Sequence, residues 1–176
     1  MINNHEIIGI VAVDENWAIG KNNSLLYYIP IDLKFFKEAT SGNIVVCGYN
    51  TLMSFPNKKP LPNREHIVLT RKELPNGDKI RFAHSVAEVE NIIRSIDNNK
   101  EVYICGGESV YHQMIDMCDK VLVTKIKAST ADADAFFPNL DKSENWEMAE
   151  GVLTVQDTSS NLTVEFTTYK KHGRTN

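Results

Sequence analysis

Short runs of Val, Ile and Tyr recur along this chain between stretches of helical apolar periodicity, and that alternation predicts an α/β architecture. The runs predict strands at 7–13 (IIGIVAV), 44–48 (IVVCG), 66–70 (HIVLT), 80–83 (IRFA), 102–105 (VYIC) and 121–126 (VLVTKI). Continuous apolar runs of this kind suit a sheet covered on both faces. Past residue 145 the pattern changes to two longer segments, 146–157 and 162–170, joined by Thr158-Ser159-Ser160-Asn161. They read as a hairpin at the sheet edge, so the sheet is expected to be mixed.

Between these runs, three helices are expected. The first follows Pro30, carries Leu33, Phe36 and Thr40 on one face, and stops at Ser41-Gly42. The second begins at Ser85, whose Glu88 completes an S-x-x-E capping box, with Val86, Val89, Ile92, Ile93 and Ile96 as its buried stripe. The third follows Gly106-Gly107, with Val110, Met114 and Met117 together. Each stripe is first of all a core face.

A chain of 176 residues is one domain's worth, so a single domain over 1–176 is expected. Its 19 Lys and Arg against 23 Asp and Glu give a net charge of −4, and no basic tract exceeds two residues. Nucleic acid and anionic membrane are therefore not expected as partners. Cys47, Cys105 and Cys118 are odd in number, and two lie in apolar runs, which reads as free thiols in a reducing compartment. The five His are scattered and no Cys/His cluster has ligand spacing, so no metal is expected. The N-terminus lacks a secretion signal, and its apolar run is too short to span a bilayer; a cytoplasmic protein is expected.

Four features could carry chemistry. At Cys105-Gly106-Gly107-Glu108-Ser109 two glycines stand where a strand ends and a helix begins; the junction could offer backbone N–H groups to a phosphate, or serve only as a tight turn. Asp32 sits in the first turn of its helix among apolar residues, either a carboxylate settled by the helix dipole or a cleft acid with a raised pKa. Arg64 ends the proline-restricted loop Pro60-Leu61-Pro62-Asn63, and is either solvated or held for a carboxylate. Arg71, after Thr70 at a strand end, either meets a phosphate at the carboxyl edge of the sheet or faces solvent. The polar segment 14–24, with a Trp and a Gly, is long for a connection and reads as a lid.

Taken in order, these features resemble the dihydrofolate reductase family over nearly the whole chain. Ile10-Val11-Ala12-Val13, Asn16 and Ala18-Ile19-Gly20-Lys21-Asn22 are similar to its first strand and mobile loop, and Ile29-Pro30-Ile31-Asp32-Leu33-Lys34-Phe35-Phe36 to its acidic helix. Gly48-Tyr49-Asn50-Thr51, Pro60-Leu61-Pro62-Asn63-Arg64, Cys105-Gly106-Gly107 to Tyr111, Val123-Thr124-Lys125-Ile126 and Asp134-Ala135-Phe136-Phe137-Pro138 continue the match in register.

The resemblance implies a central, mostly parallel eight-stranded sheet with about four helices, and NADPH-dependent reduction of 7,8-dihydrofolate to tetrahydrofolate. Hydride would go to C6 of the pterin and a proton to N5. It implies catalytic roles for Asp32, Thr124 and Tyr27, a substrate site of Ile10, Val11, Leu33, Phe36, Phe55, Leu61, Arg64 and Cys105, and Arg64 holding the glutamate α-carboxylate. The cofactor site would comprise Ala12, Ile19, Gly20, Gly48, Tyr49, Asn50, Thr51, Leu69, Thr70, Arg71, Gly106, Gly107, Glu108, Ser109, Val110 and Tyr111. A monomer and binding of antifolates are the family habit.

Three positions depart from the family pattern. Leu26-Tyr27 replaces Pro-Trp, Tyr49 replaces an Arg directed at the 2′-phosphate, and Glu108 replaces a small residue beside the pyrophosphate turn and is expected to point outward. Tyr49 leaves Arg71 as the main cation for the 2′-phosphate, which weakens the case for NADPH over NADH. The alternatives are the reductase domain of riboflavin synthesis and a catalytically silent folate- or nucleotide-binding module.

Overall fold

The computed structural model describes residues 1–97 and 99–173. In chain order the strands are β1 (Ile7–Val13), β2 (Ala18–Lys21), β3 (Ser24–Leu25), β4 (Ile44–Gly48), β5 (Glu65–Leu69), β6 (Ile80–Ala83), β7 (Val102–Ile104), β8 (Lys120–Ile126), β9 (Ala135–Phe136), β10 (Trp146–Met148), β11 (Leu153–Asp157) and β12 (Leu162–Lys171). The α-helices are α1 (Pro30–Thr40), α2 (Tyr49–Ser54), α3 (Val86–Ser95) and α4 (Glu108–Met114). Eight strands form one path, β10-β12-β8-β1-β7-β4-β5-β6, and β11 pairs with β12 off that path. From β8 to β6 every pairing is parallel, while β12 is antiparallel to β8, β10 and β11.

The six apolar runs all become strands; β1, β4 and β7 are walled on both sides and nearly all buried, and β8 is buried at four of its seven residues. The C-terminal reading needs one correction. Segment 146–157 is two strands, β10 and β11, broken around the exposed Glu150-Gly151, where Gly151 has a φ of +92°. β11 and β12 form the expected antiparallel hairpin around 158–161 at this end of the sheet, with β12 pairing β8 on one side and β10 and β11 on the other. The segment read as a lid is likewise built: β2 and β3 form a hairpin that pairs with β9 in a separate three-stranded sheet. Its root is fixed by Asp14, which is buried and accepts from the amides of Asn16, Ala18 and Thr130, and by Trp17 packed on Phe137 and Tyr169.

α3 matches its signature. The Ser85 hydroxyl accepts from the Glu88 amide at 3.1 Å, and the Glu88 carboxylate reaches back to the His84 amide, one residue before the cap. Val89 and Ile93 are buried. α1 differs. Of its predicted face only Thr40 is buried, while Leu33 and Phe36 stay half-buried, so this helix leaves an apolar face uncovered. α2 was not expected; six residues give no periodic signal. Among the described residues, no helix is long and apolar enough to cross a membrane.

Candidate active site

The carboxyl ends of β1, β4, β5 and β7 open on one cavity of about 1090 Å³. Its size suits a dinucleotide, being at the upper end of the ~300–1,000 Å³ typical of ligand sites. All sixteen residues assigned to the cofactor line it, from Ala12, Ile19 and Gly20 through Gly48 to Thr51, Leu69 to Arg71 and Gly106 to Tyr111. Gly106 has a φ of +108°, and a Cβ there would stand 3.0 Å from the Tyr111 ring, so the junction excludes side chains on both conformational and steric grounds. The Gly48 amide donates to the Gly106 carbonyl at 2.8 Å, which ties the two turns together.

The Tyr111 hydroxyl donates to the Ile10 carbonyl at 2.7 Å, and burial pushes its own pKa well up. Glu108 lines the cavity, yet its Oε2 accepts from the Phe136 amide at 2.5 Å, so its charge is engaged by β9.

One end of the cavity carries cations. Arg71 and Lys72 are both exposed, both line the cavity, and neither forms an ion pair among the described residues. Lys72 Nζ stands 4.5 Å from the centre of the Tyr49 ring. The turn beneath is braced by the Lys72 amide donating to Thr70 Oγ1 at 3.1 Å and by His84 Nε2 donating to the Lys72 carbonyl at 3.1 Å. Sequence reasoning passed over Lys72, though two consecutive cations after a strand end were visible there.

The residues assigned to substrate gather along α1. Asp32 is half-buried; burial raises its pKa above the ordinary carboxylate range, and a hydrogen bond from Thr124 opposes that rise. Thr124 is 2% exposed and lies opposite Ala12 in the β1–β8 pairing, so it bridges the acid to the cavity wall. Asp32, Phe36 and Thr40 recur every four residues on one helix face. At the far end of that face Arg64 is only 5% exposed, and its Nε donates to Thr40 Oγ1 at 2.8 Å. Its Nη1 donates to the Pro62 carbonyl and its Nη2 to the Lys37 carbonyl.

Those three bonds leave two of the five guanidinium N–H donors without a partner among the described residues, and no carboxylate pairs with this buried cation. Along the helix axis, Asp32 and the Lys37–Thr40 turn are about 7–12 Å apart at ~1.5 Å per residue.

Not every assigned residue reaches the large cavity. Val11 and Cys105 line it; Ile10, Leu33, Phe36, Phe55, Leu61, Arg64, Asp32, Thr124 and Tyr27 do not. Ile10 and Phe36 pack in one cluster with Cys105 on its rim, and Phe55 in another that also meets Cys105. Tyr27 sends its hydroxyl to Thr130 Oγ1 at 2.7 Å, and its ring packs with Ile29 and Ile31.

A family model described as dihydrofolate reductase matches residues 6–171. The dihydrofolate reductase of Bacillus subtilis (strain 168) is 31% identical over 162 residues, covering 92% of each chain. That of Neisseria gonorrhoeae is 35% identical over 142 residues, covering 80% of this chain and 83% of its own. Among solved structures, a dihydrofolate reductase from Enterococcus faecalis complexed with NADP(H) and RAB-propyl superposes with a TM-score of 0.81 at 32% identity, over 95% of this chain and 96% of its own.

Proposed function

The chain belongs to the dihydrofolate reductase family and reduces 7,8-dihydrofolate with NADPH, and we propose that α1 with its flanking strands holds the substrate while the turns after β4, β5 and β7 hold the cofactor. NADPH supplies the hydride when bound. The observation that carries the substrate half is Arg64, a buried guanidinium with spare donors and no carboxylate partner among the described residues, held at the end of the helix face that carries a desolvated acid.

Asp32 hydrogen-bonds the pterin amino group and N3, and its raised pKa lets it favour a proton near N5. Thr124 fixes the orientation of that carboxyl. Leu33, Phe36, Phe55 and Leu61 wall the ring system and keep water from it, and Arg64 receives the glutamate α-carboxylate through its two remaining donors. On the cofactor side Ala12, Ile19, Gly20 and Tyr111 border the nicotinamide, and Thr51 with the 106–110 turn takes the pyrophosphate. Arg71 and Lys72 with the Thr70 hydroxyl take the 2′-phosphate, Lys72 supplying from the Tyr49 ring the charge that Tyr49 itself lacks.

The test is the oxidation of NADPH and of NADH by the purified protein, each with and without dihydrofolate. Oxidation that depends on dihydrofolate and is faster with NADPH supports the reading. Binding of NADPH and an antifolate with no turnover sinks it in favour of a silent binding module.

A further inference from the structure

His66 is 1% exposed and takes no part in the reaction described above. Alternation along β5 puts it on the same face as Arg64, which immediately precedes the strand, and as Val68. Its ring meets the Phe55 ring edge-on at 6.1 Å between centroids, and its Nε2 stands 3.0 Å from the amide nitrogen of Leu61. A backbone amide can only donate, so Nε2 must carry the lone pair and the proton must sit on Nδ1. Nδ1 is buried and has no hydrogen bond among the described residues. Leu or Phe here would remove the unpaired Nδ1 donor but would also take away the acceptor of the Leu61 amide, so it is that bond, and not packing, that calls for histidine.

We infer that His66 is a positioning residue for the tail of the substrate: by accepting from the Leu61 amide it sets the loop whose next carbonyl, that of Pro62, holds Arg64 Nη1 at 2.9 Å. The rest of the loop is fixed from the other side, by Asn63 Nδ2 donating to Ser41 Oγ at 2.8 Å and the Gly42 amide donating to the Asn63 carbonyl at 2.7 Å. Among the described residues, Leu61 is thus the one place where the loop is tied to the sheet by a side chain reaching back from beyond Arg64. Burial lowers the pKa of the ring more than the backbone of Lys79 and Arg64 raises it, with a smaller push in the same direction from the Arg64 charge, which favours the neutral ring that an accepting Nε2 requires.

The inference rests on Arg64 receiving the glutamate carboxylate, and the experiment separates the two. His66→Leu removes the acceptor, and His66→Gln restores one near the Nε2 position. The His66→Leu variant is expected to raise KM for dihydrofolate about fivefold to tenfold, the scale of one lost hydrogen bond, with kcat and the NADPH dissociation constant unchanged. KM for 6,7-dimethyl-7,8-dihydropterin, which has no benzoylglutamate tail, should not move, and His66→Gln should behave as the unmodified protein.

A rise shared by both substrates, an unchanged KM for dihydrofolate, or a failure of His66→Gln to rescue would each overturn the proposal. Nitrogen chemical shifts of the ring in the unmodified protein decide the matter even if the leucine variant does not fold: a proton on Nδ1 supports it and a proton on Nε2 overturns it. Absence of dihydrofolate turnover in the unmodified protein would overturn the reading on which this one rests.

Discussion

The two halves of the proposed site, cofactor and substrate, are made of different material. On the cofactor side the walls are strand ends, glycine turns and short helices around an open cavity, and its cations, Arg71 and Lys72, are exposed. On the substrate side the polar groups are side chains withdrawn from solvent: Thr124 at 2%, Arg64 at 5% and His66 at 1% exposure. Every guanidinium nitrogen of Arg64 already has a protein partner, whereas the Lys72 ammonium rests, among the described residues, on an aromatic face. A charge held in place and poorly hydrated gives a strong, directional, salt-insensitive interaction; an exposed one gives a weak and screened one. Substitutions in the substrate half should therefore cost more than those in the cofactor half.

The largest effect is expected for Asp32→Asn, which should lower kcat/KM for dihydrofolate by ~10²–10⁴-fold, the range for loss of a general acid–base group. NADPH affinity, measured by titration, should be unaffected; a parallel loss would erase the division between the halves. Because burial raises the pKa of Asp32, activity should fall on the alkaline side of a pKa above the ordinary ~3.9, and the variant should lack that limb. The sign for stability follows. An acid whose pKa rises on folding costs stability while ionised and is relieved as pH falls through its folded pKa, so Asp32→Asn should gain on the unmodified protein most at neutral and alkaline pH in thermal unfolding.

Next comes Arg64→Ala, for which dihydrofolate binding should weaken by about 1.5–3 kcal/mol, or roughly 10–150-fold, with little dependence on salt. A steep salt dependence would show that this arginine is solvated after all. The smallest effect belongs to Lys72→Met. NADPH should bind about twofold to fivefold more weakly at low salt, NADH unchanged, with the difference closing as ionic strength rises. Equal losses for the two cofactors would remove Lys72 from the 2′-phosphate.

The sheet was legible because buried parallel strands are written as unbroken apolar runs, and α3 because Ser85 and Glu88 announce its start. What escaped is local structure stabilised from a distance. β2, β3 and β9 are two to four residues each, too short for a periodic signal; β2 and β3 pair locally, but the sheet exists only because β2 also pairs with β9 more than a hundred positions away. The residues proposed for the cofactor gather around one cavity because they sit at strand ends whose position the sheet dictates. His66 and Lys72 were opaque for opposite reasons: the histidine looked like one more buried strand residue, and the lysine matters only through the tyrosine ring brought beneath it.

A single rod joins the acid to the turn that grips the arginine, and this has a consequence for how the protein tolerates change. One residue inserted between Asp32 and Lys37 would push the two ends apart by about 1.5 Å and swing one about 100° around the other. Point substitutions can vary what lines this segment, but its length is a gauge fitted to one ligand, and insertions or deletions in descendants of this chain should collect everywhere else first.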